Sequence, residues 1–366
     1  MVLNFLYHGC RYTLAAWIVT FIVLCCFYSM SFKWGFLDHP GGRKKHQNAV
    51  PVIGGLGIFI GSSAILWTVV PGTLAYVVFW GVCCLLMVLS ILDDLYSLRP
   101  SSRFVTQALL MGVLMIGGQT QIDHVGNLLG LGEVYLGPLC FIFTAFSLIG
   151  MTNAVNMLDG MDGLTGCISL VVSASLLFLA VLLGAHTEAM ILLVLMGSLV
   201  AFLLFNFPCA WSAPYKIFLG DSGSTLLGLS LAWLCVRLTQ STVHANGSPV
   251  LMLWVMALPL MDTLHVMINR KLRGVSLFQA DRRHIHHILL QLNGSPLETV
   301  LILTVFSMAV SVTGISLWYY GAPDYVLFWG ILLLFGVYNL LAYRLKKRIT
   351  QRRAKWSWWR LTAREV

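Results

Sequence analysis

The sequence predicts an all-α polytopic membrane protein, and three observations carry that prediction. Hydrophobic residues make up 58% of the 366 residues and charged residues only 10%, against about 25% charged in soluble domains. The apolar residues gather into runs of roughly 20, the length that crosses about 30 Å of hydrocarbon. The charges gather at the ends of those runs, nearly all on one side of the bilayer the runs must span.

Taken in order, the spans are expected near 12–31, 52–70, 74–92, 104–118, 138–155, 165–184, 188–207, 222–239, 249–269, 299–319 and 324–343, which makes about eleven transmembrane helices. The first follows too short a leader, with no small-residue cleavage site behind it, so it reads as a retained anchor and not a signal peptide. The fourth is short. The largest gap, Arg270 to Glu298, leaves no room for a separate soluble domain, so residues 1–343 are expected to form a single transmembrane catalytic domain and 344–366 a basic cytoplasmic tail. If the loop with Arg43, Lys44 and Lys45 is cytoplasmic, every Lys and Arg except Arg11 and Arg237 falls inside. The positive-inside bias then puts the N-terminus outside and the C-terminus in the cytoplasm.

The net charge of +9 comes mostly from the tail and the inner loops. It reads as topology and contact with the lipid bilayer, not as a nucleic-acid footprint. Trp356, Trp358 and Trp359 read as interfacial anchors. The nine cysteines contain no C-x-x-C pair and read as small buried hydrophobes. Gly117 to Gly137 is expected to form a small outer hairpin.

The inner loops hold Asp38, Asp93, Asp94, Asp159, Asp162, Asp221 and Asp281. A single carboxylate at a helix end is often merely solvated, but a set bordering membrane spans is costly and tends to be functional. Asp93 and Asp94 close the third span, where mutual repulsion and the negative end of the helix dipole call for a cation. Arg99 and Arg103 lie close enough to contribute, and a divalent ion is the sharper alternative. Asn153, Asn156, Asp159 and Asp162 recur every third residue. On a regular helix each such step falls about 60° short of a turn, so the four would fan apart unless Gly160 and Gly163 break the helix.

Gly220-Asp221-Ser222-Gly223-Ser224 opens the eighth span with small residues that expose backbone N–H groups to an anion. Asp221 there suits a hard cation, Mg2+ or alternatively Mn2+. Arg282, Arg283, His284, His286 and His287 follow in the largest inner loop. Zinc is one reading of the histidines, but beside two arginines they read better as donors to diphosphate oxygens. Acids for a metal opposite bases for a diphosphate point to phosphoryl transfer at the inner membrane face.

Six stretches in order, namely Pro51 to Gly55, Asp93-Asp94, Asn153 to Leu164, Gly220 to Ser224, Pro259 to Asp262 and His284 to His287, resemble the polyprenyl-phosphate N-acetylhexosamine-1-phosphate transferases, most in the manner of their GlcNAc branch. That resemblance implies transfer of N-acetylglucosamine-1-phosphate from UDP-GlcNAc to undecaprenyl phosphate in the bacterial inner membrane. The products would be a lipid-diphosphate sugar and UMP, the first membrane step of an O-antigen or related surface polysaccharide. It implies Asn156 and Asp221 as metal ligands, Asp93 and Asp94 facing the lipid phosphate, and Asp159 and Asp162 against the nucleotide sugar. Arg282, His284, His286 and His287 would grip the diphosphate, and a homodimer would be compatible with the family.

Members often carry a lysine soon after the paired aspartates. Here Arg103 is the substitute. A different UDP-N-acetylhexosamine donor is the nearest alternative, and a membrane transporter the alternative from another class. A transporter would place its ionisable groups near the bilayer midplane. A CDP-alcohol phosphotransferase is excluded by the lack of its Asp-Gly-x-x-Ala-Arg continuation after Gly160.

Overall fold

In the computed structural model, residues 2–38, 49–96, 100–210, 212–240, 247–276 and 283–362 are described, and they are built almost wholly of α-helix. In chain order the helices are α1 (Val2–Trp34), α2 (Gly54–Val69), α3 (Leu74–Tyr96), α4 (Pro100–Gly117), α5 (Cys140–Leu158), α6 (Leu164–Leu182) and α7 (His186–Asn206). They continue as α8 (Gly220–Gln240), α9 (Pro249–Val255), α10 (Ala257–Leu272), α11 (Ile285–Asn293), α12 (Pro296–Tyr319) and α13 (Asp324–Thr362). A short antiparallel pair, β1 (Leu37–Asp38) and β2 (Val50–Pro51), lies between the first two helices, with Leu37 opposite Pro51.

Each run expected to span is helical. Among the described residues, seven helices are long and apolar enough to cross a membrane, or eight if a bent pair counts as one. The chain is therefore a multi-pass membrane protein by its helices. Helices α2 and α4 are shorter apolar helices. Helix α8 falls outside the apolar set for a physical reason. It is packed by α2, α3, α5, α6, α7 and α9, so nearly every residue from Ser222 to Thr239 is buried in protein and its polar side chains meet polar partners instead of lipid. Trp233 is its central anchor, stacked on Phe79 of α3 with ring centroids 4.0 Å apart.

The ninth predicted span is not one rod. Helices α9 and α10 meet at an angle of 80°, with Met256 between them. Pro259 has no N–H to return to the carbonyl of Val255, which is the ordinary cause of a kink. Ser311 of α12 reaches that carbonyl at 3.5 Å. The bend swings α10 so that it packs on α5, α12 and α13.

At the opposite end of the bundle from Asp221, the expected hairpin is present: Val125 N–H donates to Val134 O at 3.0 Å and Leu136 N–H to Asp123 O at 2.8 Å. The cysteines correct one expectation. All are free, but only Cys83, Cys140 and Cys235 are buried. Others, such as Cys25, Cys26 and Cys84, lie on outward faces of α1 and α3, because a rim helix buries one face in protein and turns the other to lipid. The tail boundary at 343 falls inside continuous α13, and the side chains of Arg352, Arg353, Lys355, Trp356, Trp358 and Trp359 lie outside the described residues.

Candidate active site

Asp221 is seated by backbone pairing. Phe218 N–H donates to Pro51 O at 2.8 Å, and the N–H groups of Gly54 and Gly55 donate to the carbonyls of Phe218 and Leu219, each at 3.0 Å. The Pro51 to Gly55 segment thus runs beside the chain entering α8. Gly55 and Gly223 then touch backbone to backbone, where a Cβ on either would collide. This contact fixes the first turn of α8, whose free N–H groups and dipole favour the Asp221 carboxylate. One turn further, Ser224 Oγ accepts from Asn156 Nδ2 at 2.9 Å, tying the end of α5 to the start of α8. Asn156 Oδ1 is left for another ligand.

Arg103, in the first turn of α4, joins two of the acidic loops. Its Nη1 is 2.7 Å from Asp93 Oδ2 and its Nη2 3.4 Å from Asp221 Oδ2. Asp93 is 9% exposed in the last turn of α3, where the helix dipole opposes it, and Arg103 is the cation that this position requires. Asp94 follows it in the helix, but its side chain lies outside the described residues, as do Arg99 and Arg282.

The helix break forms where the glycines predict it. Helix α5 stops at Leu158, Asp159 caps it, and Gly163 takes φ +75° to enter α6. The Gly163 N–H is held by Asn206 Oδ1 at 2.7 Å, while Asn206 Nδ2 donates to Ile217 O at 2.8 Å. The four polar residues still fan out. Asn153 turns to Gln107 of α4 at 3.1 Å and takes no part in the acidic cluster. Asp162 pairs with Lys216 at 2.6 Å. Asp159 is half-buried, and desolvation pushes its carboxyl up to about 7 against the opposing Thr165 hydroxyl, with the charges of Asp221 and Asp162 adding to the rise. Among the described residues no cation pairs with Asp159.

The histidine segment lies against this turn. His286 is 1% exposed, and neither of its ring nitrogens has a hydrogen-bond partner. Its Nε2 faces Gly160 so closely that any side chain there would strike the ring. Desolvation, and next the neighbouring His287, push its imidazole down to about 3, so it is neutral. Its ring stacks on His284 at 5.6 Å and meets His287 at 4.2 Å. His284 Nδ1 is 2.7 Å from Asp262 Oδ2 in α10.

Sequence reasoning missed Lys216, Ser224 and Asn206 as site-building residues. Lys216 had a signal, since it is the lone basic residue between Pro208 and Arg237. Asn206 had none, because its role depends on which loop α7 delivers it to.

The donor set suits a hard divalent cation. Asp221 and Asn156 Oδ1 are oxygen donors tied together through Ser224, and Asp159 lies near enough to feel the charge of Asp221. Among the described residues no three His, Cys, Asp or Glu side chains close on a common point. Mg2+ does not require that, since it binds through one or two carboxylates and completes its shell with water and substrate phosphates.

The glycosyl transferase family 4 model matches residues 76–239, a stretch from α3 through α8 that includes both Arg103-bridged acids. The chain is 30% identical over 328 residues to undecaprenyl-phosphate alpha-N-acetylglucosaminyl 1-phosphate transferase of Escherichia coli (strain K12), covering 88% of each. It is 32% identical over 307 residues to the protein of that name from Haemophilus influenzae, covering 83% of this chain and 85% of that one. With the Yersinia pestis protein it shares 31% over 289 residues, 78% of each.

Proposed function

The chain belongs to glycosyl transferase family 4, among the polyprenyl-phosphate N-acetylhexosamine-1-phosphate transferases, and we propose that it transfers N-acetylglucosamine-1-phosphate from UDP-GlcNAc to undecaprenyl phosphate. The observation that carries this reading is the junction of Asp93, Arg103 and Asp221. It draws the α3–α4 loop and the start of α8 into one acidic site, and the histidine segment packs on the neighbouring turn at Gly160. The names of the relatives support the acceptor and the transferred N-acetylglucosaminyl 1-phosphate group. The site is assigned to the cytoplasmic face of the bacterial inner membrane, where the Lys and Arg bias places it, and the product would feed a surface polysaccharide.

An oxygen of the lipid phosphate attacks the β-phosphorus of the nucleotide sugar. A P–O bond forms to the lipid phosphate, the bond from the β-phosphorus to the bridging oxygen breaks, and UMP leaves with that oxygen. A phosphate monoester loses its second proton near pH 6, so the attacking group is already a dianion and needs no base. The sugar C1–O bond is untouched, so the anomeric configuration is retained. When bound at Asn156 and Asp221, Mg2+ would neutralise diphosphate charge as the bridge breaks.

The protein's own groups do the rest. Arg103 bridges Asp93 and Asp221 and places a positive charge between the two carboxylates. Lys216 steadies Asp162, and with it the turn that meets the nucleotide sugar. Arg282, His284, His286 and His287 are the groups that would grip the diphosphate from the opposite loop.

The test is the purified protein in detergent with undecaprenyl phosphate and a panel of radiolabelled UDP-sugars, with and without EDTA. Metal-dependent label from UDP-GlcNAc in the organic phase is expected. Label from another UDP-N-acetylhexosamine would replace the donor and keep the chemistry, and no label from any would overturn the reading in favour of a transporter.

A further inference from the structure

Asp262 stands in a motif that the reaction does not use. It is 1% exposed within α10, just past the bend. A carboxylate so deeply placed is costly unless its oxygens are fully occupied, and here they are. Oδ2 lies 2.7 Å from His284 Nδ1. Oδ1 accepts from Ile285 N–H at 2.8 Å and from the Tyr338 hydroxyl of α13 at 2.9 Å.

Ile285 is the first residue of α11, so one Asp262 oxygen satisfies an N–H that the helix itself cannot pair. The other oxygen fixes the face of the imidazole immediately before it. With Nδ1 held on Asp262 Oδ2, the plane of the His284 ring is fixed and Nε2 is left as its remaining polar atom. The arrangement is braced one turn further along α10. There His265 Nδ1 is 2.7 Å from Asn339 Oδ1, beside Tyr338 on α13. Tyr338 of α13 thus braces Asp262, Asp262 holds the His284 imidazole, and that imidazole is stacked on His286, which abuts the acidic turn at Gly160.

We propose that Asp262, supported by Tyr338, is a positioning residue for the diphosphate grip. It anchors the start of α11 and orients His284 so that the segment from His284 to His287 presents its donors to the diphosphate of the nucleotide sugar. Asp262 itself touches no substrate. This rests on the transferase reading above and adds a residue that acts through another.

If Asp262 orients diphosphate donors, its loss must weaken ligands with two phosphates and spare those with one. The experiment compares wild type, Asp262→Asn and Tyr338→Phe in detergent. It measures KM and kcat for the UDP-sugar, inhibition by UMP, and the thermal midpoint. Asp262→Asn keeps the shape but presents an amide N–H where two donors already point, and the loss of a charged hydrogen bond is worth about tenfold or more in affinity. The donor KM is expected to rise by about that factor, with UMP inhibition within about twofold of wild type and kcat changed less than KM. Tyr338→Phe removes one hydrogen bond and keeps the carboxylate, so it should give the same pattern at a smaller size.

An equal loss of UMP and donor affinity, or a fall in kcat alone, would overturn the positioning role. So would an unchanged donor KM in both variants. If Asp262→Asn does not survive purification, Tyr338→Phe decides alone: a raised donor KM with unchanged UMP inhibition supports the role, and an unchanged KM overturns it. A wild-type protein without turnover on any UDP-sugar overturns the transferase reading itself, whereas an active wild type lacking the donor-selective defect overturns only this inference.

Discussion

The two ends of α8 carry buried charge in opposite ways. At the Arg237 end, Arg237 donates from Nε and Nη2 to Glu188 Oε1 at 3.1 and 3.0 Å, and the Tyr76 hydroxyl donates to the same oxygen at 3.1 Å. The guanidinium also lies over the rings of Tyr76 and Trp233, and Trp233 Nε1 donates to Thr120 at 3.1 Å. At the Asp221 end one Arg103 serves two carboxylates, the Asn156 amide offers an unclaimed oxygen, Asp159 has no cation among the described residues, and His286 is buried with no hydrogen bond to either ring nitrogen. Matched charge holds helices together, whereas charge left in surplus is prepared for something that arrives. The difference separates a clamp from a site where residue counts alone would not.

The largest effect that separates the ends is loss of turnover without loss of fold. Asp221→Ala and Asn156→Ala are each expected to cut turnover by more than the roughly 100-fold that changing an outer-shell partner of a metal typically costs. Their thermal midpoints should fall only slightly, because each loses one hydrogen bond, Asn156 to Ser224 and Asp221 from Arg103, worth about 1 kcal/mol. Full Mg2+-dependent activity in either variant would mean that the cation sits elsewhere. The opposite end should invert this result. Arg237→Ala strands Glu188, which is 2% exposed, and breaking a buried pair costs about 3–5 kcal/mol. Thermal unfolding in detergent should fall accordingly, with kcat per folded molecule unchanged. Replacing both partners with apolar residues should recover most of the stability, and failure to recover would show that the pair does more than clamp.

The same contrast explains what could be read from the sequence. Apolar runs with charge at their ends specify helices and gather the acids at one end, because water and lipid impose that pattern residue by residue. The 80° bend between α9 and α10 was hidden, since Leu258-Pro259-Leu260 continues an apolar run and a proline near a helix start reads as tolerated. Pairings across helices were hidden too. Nothing along the chain pairs Glu188 with Arg237, or Asp262 with His284, until packing brings each to its partner. Asp221, Asp159 and Asp162 were legible because loops at span ends have few structural reasons to carry acids.

A smaller effect sharpens the role of the shared cation. Arg103→Ala leaves Asp93 unpaired at 9% exposure and removes the fork that spans it to Asp221. A loss of about 10- to 100-fold in turnover is expected, on the scale of removing a charged hydrogen bond at a buried acid. Arg103→Lys should recover only part of it, because an ammonium is a single point of charge and cannot bridge two carboxylates as a planar fork does. Equal activity of the Lys and Ala variants would show that the bridge itself is irrelevant.

The finest distinction is in pH. The Asp159 carboxyl sits at about 7 in the folded chain, raised first by desolvation and further by Asp221 and Asp162, against about 3.9 in an unfolded one. The folded state therefore holds the proton more tightly. Its contribution to stability is complete below about pH 4 and is lost as the pH rises through 7. In EDTA the thermal midpoint should fall between pH 6 and pH 8. Asp159→Asn should flatten that fall, because an amide carries no proton to lose. Mg2+ should raise the midpoint more at pH 8 than at pH 6, since a cation compensates the carboxylate only once it is charged. The Glu188 and Arg237 clamp, already matched, should give no such metal-dependent difference. A fall of the same size in Asp159→Asn as in wild type would place the titrating group elsewhere and remove the main electrostatic distinction between the two ends of α8.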